Sequence, residues 1–170
     1  GTPLAAGRRA SRTARDDDAR METQQQRRLD SLGRAVEELQ ALDAIYGFEP
    51  EGFVVHSDGE LAIAQAALDS GAGRTSSSAV DSWQAPHLDI ELRIEVKSAT
   101  VEPAASSTAR LRCGLPPGYP AEAAAKVSVG VDGLTRANQD QLTRTLQAKA
   151  EDLVGEEAVM ELVQELQDAL

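Results

Sequence analysis

Cys113 is the only thiol in the chain and so the first residue to test for nucleophilic chemistry. A catalytic thiolate needs partial exposure and a neighbouring base or helix N-terminus. Around it, Leu111, Cys113 and Leu115 alternate with Arg110 and Arg112. That is a half-buried strand of period 2 with the thiol on its apolar side, so a packing role is expected. The two histidines, His56 and His87, stand thirty-one positions apart, each beside a turn. With one cysteine there is no internal disulfide and no multi-cysteine zinc site, and both histidines read as solvated loop residues. Ser70–Thr75 has the outline of a phosphate loop. However, Leu68 stands where its first glycine belongs, and the preceding segment reads as helix rather than strand. Asp89, Glu91 and Glu95 alternate with apolar residues and form the wet face of a strand, not a catalytic pair. Asp16–Asp18 is a solvated run. No Gly-x-Ser-x-Gly is present. The residues themselves point to a non-enzymatic domain with no cofactor and no metal.

The elements that would hold these residues follow from periodicity. Leu29, Leu32, Val36, Leu39, Leu42 and Tyr46 recur every three or four positions and predict a helix from about residue 22 to Tyr46. Gly47 and Pro50 stop it. Phe53-Val54-Val55 predicts a short strand, and Glu60–Asp69 a short helix. Ser70–Ser78 has the composition of a flexible loop. The clearest signal is Leu88–Lys97, where Leu88, Ile90, Leu92, Ile94 and Val96 alternate with charged residues. A strand over Ala109–Leu115 pairs with it, which would set Arg110 and Arg112 opposite Asp89, Glu91 or Glu95. Pro116, Pro117 and Pro120 cannot continue a ladder and enforce a stiff turn around Tyr119. Val127, Val129 and Val131 predict a further strand. Two helices follow, Thr135 to about Leu153 and Glu156–Leu170. The second carries the apolar face Val159, Leu162, Val163, Leu166 and Leu170. Strands in sequence followed by helices predict an α+β fold: an N-terminal helix, a four-stranded antiparallel meander and two C-terminal helices on one face.

The sequence of 170 residues carries 17 basic and 28 acidic residues, a formal net charge of −11. Such a balance disfavours nucleic acid and anionic membranes. No apolar run approaches the ~20 residues of a membrane helix, and no secretory signal is visible. The expected location is the cytoplasm or nucleus. Residues 1–21 show no apolar periodicity and are expected to be a disordered tail ahead of a domain spanning 22–170.

The run Glu37–Gly47, with Leu42, Ile45 and Tyr46, and the Tyr119-Pro120 turn after a strand resemble the RWD domain. RWD domains open with a helix ending in Leu-x-x-Ile-Tyr, then a four-stranded sheet, a Tyr-Pro-x-x-x-Pro turn and two helices. Ala124 replaces the last proline of that turn. The segment Asp58–Gly71 is similar to the RWD domain-containing protein 2 group, whose members carry a further C-terminal domain. The fold is related to ubiquitin-conjugating enzymes, and the resemblance implies a non-catalytic protein-interaction module. It also implies an adaptor, or the N-terminal part of a larger protein. The enzyme alternative is a divergent conjugating enzyme using Cys113. It lacks a cysteine after the Tyr-Pro turn and a His-Pro-Asn.

A partner surface is suggested by charge. Seven acids and no Lys or Arg lie between Glu151 and Leu170. Glu157, Glu161, Glu165 and Asp168 fall opposite the apolar stripe of the last helix and form a candidate docking face for a basic protein partner. Glu156 and Glu157 are expected near the N-terminus of that helix, where its dipole favours them.

Overall fold

The computed structural model describes residues 6–70, 87–97 and 106–170. Its elements in order are α1 (Ala6–Tyr46), β1 (Phe53–Val55), α2 (Asp58–Ser70), β2 (Leu88–Lys97) and β3 (Ser106–Leu115). β4 (Lys126–Val131), α3 (Arg136–Asp152) and α4 (Val159–Ala169) follow. The expected loop over Ser70–Ser78 lies outside the described residues, apart from Ser70, which ends α2. The four strands form one antiparallel sheet in the order β1-β2-β3-β4. This is the α+β meander that the alternation and the helical stripes predict.

Alternation decides which face of the sheet is dry. Leu88, Ile90, Leu92 and Ile94 of β2, Leu111, Cys113 and Leu115 of β3, and Val127, Val129 and Val131 of β4 are all buried. They join one core with Leu32, Val36, Leu39 and Leu42 of α1 and Val159, Leu162, Val163 and Leu166 of α4. β3 starts earlier than expected, at Ser106, because Ser106-Ser107-Thr108 pair with Lys97, Val96 and Glu95. These three polar residues read as connection, but the ladder across from them accepts them into the strand.

α1 corrects the expectation of a disordered tail up to residue 21, because it is helical from Ala6. Residues 8–32 contain no Gly or Pro, and their Ala, Arg and Gln are good helix formers. Asp16, Asp17, Asp18 and Arg20 are exposed, so these turns add on to the packed half by propagation rather than by burial. Packing begins at Gln25, which is buried, and strengthens from Ser31 onward.

The outer edge of β4 is closed by α3. Gln147 Oε1 accepts the Val127 N–H at 2.8 Å, Thr143 Oγ1 the Val129 N–H at 3.1 Å, and Gln139 Oε1 the Val131 N–H at 3.4 Å. Gln147 Nε2 donates to the Ala125 carbonyl at 3.1 Å and Gln139 Nε2 to the Leu134 carbonyl at 2.8 Å. The match is geometric. Four helical residues rise ~6 Å and two strand residues ~6.6 Å, so every fourth residue of α3 meets every second residue of β4. Thr135 caps α3 by accepting the Asn138 N–H at 3.4 Å.

α4 starts at Val159 rather than Glu156, and Leu170 lies beyond its end, 37% exposed. Gly155, at φ +105°, turns the chain between α3 and α4, and its N–H donates to the Pro120 carbonyl at 2.8 Å. The groups that start α4 come from other elements and are described next.

Candidate functional site

Cys113 is fully buried between Ile90 and Val127, its partners in the ladder. Burial pushes its thiol up to about 12, with the charges of Glu38 and Asp89 adding to the effect. A thiol in that state carries no thiolate at neutral pH and meets no solvent. The arrangement cannot supply the nucleophile that a conjugating enzyme needs.

The most elaborate polar cluster is structural. Tyr119 is buried, and its hydroxyl donates to Glu38 Oε2 at 2.6 Å while accepting the Ala158 N–H at 2.8 Å. Glu38 Oε1 accepts the Val159 N–H at 2.8 Å. Ala158 is the N-cap of α4 and has no side chain able to cap. Two of the orphan N–H groups of this helix end, those of Ala158 and Val159, are therefore satisfied by the turn after β3 and by α1. Desolvation holds the Glu38 carboxyl above its ordinary range, against the lowering effect of its hydrogen bonds. The Tyr119 hydroxyl is also raised, first by burial and then by the Glu38 charge. Sequence reading places Glu38 only within the resemblance motif and does not single it out. The available signal was its position four residues before Leu42, on the buried side of α1.

Leu42 and Pro120 are fully buried, as a structural motif requires, and Tyr46 is half-buried against the core. The Tyr119-Pro120 peptide is cis. Ile45 departs from the motif's packing role, because it is 51% exposed. α1 turns it outward at the position where the helix leaves the core.

The candidate acidic face divides. Glu157 is not free: Arg34 donates to its Oε1 at 2.7 Å and its Oε2 at 3.0 Å, and also to the Gly155 carbonyl at 2.8 Å. Arg34 holds the Glu157 carboxyl below its ordinary range. Glu157 also precedes the N-cap rather than lying in the first turn, which corrects its expected place in the helix. Glu161 and Asp168 are exposed and Glu165 is half-buried, while Asp168 accepts a hydrogen bond from Gln164 at 3.0 Å.

On the solvent face of the sheet, Arg112 donates to Asp89 at 3.1 and 2.5 Å and depresses its carboxyl. This is the predicted cross-strand pairing. Arg110 corrects the other half of that prediction, because its partner in register is Arg93. Arg93 is answered by Glu51 from the connection before β1. His56 lies 3.2 Å from Glu91, and the His87 ring stands over Gly114, where an added Cβ would meet its Nε2 at 3.0 Å. Among the described residues no group of three His, Cys, Asp or Glu is arranged to hold a metal ion, and no helix is long and apolar enough to cross a membrane.

The model of the RWD domain matches residues 34–170. The chain belongs to the RWD family. The match covers β1 to α4 and the packed half of α1 from Arg34, and it identifies the family as a whole rather than the RWD domain-containing protein 2 group. Among solved structures the chain is similar to the solution structure of the RWD domain of mouse GCN2, at TM-score 0.54 and 24% identity. That likeness covers 81% of this chain and 83% of that one, and shows the fold. A search of the curated proteins gives no match. RWD domains share the fold of ubiquitin-conjugating enzymes and are as a rule non-catalytic modules that bind other proteins.

Proposed function

We propose that this RWD domain is a non-catalytic adaptor whose acidic α4 face docks a basic surface of a protein partner. The observation that carries this is the contrast between the approach to α4 and the helix itself: Arg34 pairs with Glu157 just before the helix, while Glu161, Glu165 and Asp168 on it have no cation beside them in sequence from Glu151 to Leu170. An unneutralised acidic face speeds encounter with a basic one, and salt screens the effect. The unit that does this is residues 22–170, with the exposed first turns of α1 as an extension. Its location would be the cytoplasm or nucleus. Within the family, the helix α2 inserted between β1 and β2 favours a place near the RWD domain-containing protein 2 group. The test is the association rate of a captured partner. Glu161→Lys with Glu165→Lys should slow association and flatten its salt dependence. Rates that do not change would place the partner elsewhere on the domain.

A further inference from the structure

From Ala35 to Ser70 the chain carries eight acids and not one Lys or Arg. This segment is the end of α1, β1 and α2, the three elements that enclose a groove of about 280 Å³. Its apolar lining comes from Phe53 and Val55 of β1 and Leu61 of α2, all half-buried, over the buried Val36 and Leu39 of α1. Asp43 and Asp58 also line it, together with Gln40 and Gln65, and all four are exposed. Two of the eight acids are already used, since Glu38 is buried on Tyr119 and Val159 and Glu51 answers Arg93. The remaining six, Glu37, Asp43, Glu49, Asp58, Glu60 and Asp69, are exposed. The same elements and the turn between them also expose large apolar side chains: Ile45 at 51%, Phe48 at 86% and Ile63 at 57%.

Half-buried apolar side chains beside exposed acids define the chemistry of an occupant. It must bring one or two large apolar side chains and place Lys or Arg beside them. The α1 wall from Val36 to Asp43 is ~10 Å long, which suits a short segment rather than a domain face. We infer that this groove binds a short basic amphipathic segment of another protein, its apolar side chains seated on Phe53, Val55 and Leu61 and its cations facing Asp43 and Asp58. The inference rests on the interaction-module reading but not on the α4 face. The groove lies between α1, β1 and α2 and is lined by no residue of α4.

The test uses the full chain and three fluorescein-labelled synthetic peptides of equal length. One carries Leu and Phe four residues apart, flanked by Lys and Arg. The second replaces the cations by Glu, and the third replaces the apolar anchors by Ser. The first should bind, and each of the others should bind at least about tenfold more weakly. Amide shifts on binding should centre on Leu39–Asp43, Phe53–Val55 and Leu61–Gln65. Gln40→Lys with Asp43→Lys changes only exposed positions of α1 and should weaken binding about tenfold. Gln65→Trp should block the groove sterically, and both variants should keep a folded spectrum. Glu161→Lys with Glu165→Lys should leave this peptide's affinity unchanged. The inference is overturned by no binding of the first peptide, equal binding by the anchorless one, amide shifts centred on α4, or self-association of the chain that buries the groove. If the α4 reversals alone affect a captured partner, the interaction-module reading stands and the groove assignment falls.

Discussion

Two carboxylates hold the start of α4, one inside the protein and one outside, and they behave in opposite ways. Glu38 reaches it from within, buried, with Tyr119 and the Val159 N–H as partners. Glu157 lies on the outside, paired with Arg34 in water. Burial raises the first carboxyl and a guanidinium lowers the second. The lesson is that charge pairing and structural weight are separate matters. The outer pair has the better electrostatics, but water already solvates both its partners, so losing it costs little. The inner cluster is electrostatically unfavourable for the carboxylate, yet removing either Glu38 or Tyr119 leaves buried hydrogen-bonding groups without a partner.

The largest effect should come from Tyr119→Ala. It removes a buried ring and the hydrogen-bond centre of the inner cluster, and should cost on the order of 2–4 kcal/mol in chemical denaturation. An unchanged midpoint would mean that the turn after β3 does not anchor α4. Glu38→Ala comes next, at about 2–3 kcal/mol, because the Val159 N–H and the Tyr119 hydroxyl lose their acceptor. Tyr119→Phe keeps the ring and isolates the hydroxyl, with an expected loss of about 1–3 kcal/mol. Arg34→Ala should cost under about 1 kcal/mol, and less at high salt. If Arg34→Ala proved as damaging as Tyr119→Phe, the contrast between the two sides would be wrong.

Acid and base titration sharpen the same comparison, because the two carboxyls have opposite signs. Glu38 has a folded value above its ordinary 4.5, so the folded state holds its proton more tightly. Its contribution is greatest below 4.5 and declines as pH rises from there through the raised folded value. Glu38→Gln removes that decline, so the stability of the wild type relative to this variant should fall across the same window. Glu157 has a folded value below 4.5, so its contribution is present above 4.5 and is lost as pH falls through the lowered value. Arg34→Ala should flatten that acid limb by a small amount, since both partners are well exposed. Denaturation midpoints across the acid range would read both slopes. Parallel slopes in the two variants would contradict the assignment.

Much of this fold can be read in the sequence because its cause is local. Strict alternation over Leu88–Lys97 fixes a strand with one dry face, whatever packs on it, and the Val127, Val129 and Val131 pattern does the same. The stripes of α1 and α4 mark most of the residues those helices send into the core, although Leu29 and Leu170 stay outside it. Cys113 follows from alternation alone. Only the tertiary structure decided the fate of the charged and polar residues, because their partners are remote in the chain. Glu38 looks like one more acid of a charged helix, yet its acceptor role depends on Val159, 121 positions away. Glu157 counted as part of a free acidic face until Arg34, 123 positions earlier, took it. Arg110 was expected to meet an acid, and the register set it opposite Arg93. Gln139, Thr143 and Gln147 carry no signal in their own helix, and they acquire a task only when β4 lies alongside. Apolar burial depends on a residue's own surface and phase. Hydrogen bonds and ion pairs depend on which two surfaces meet, and that is settled only when the chain closes.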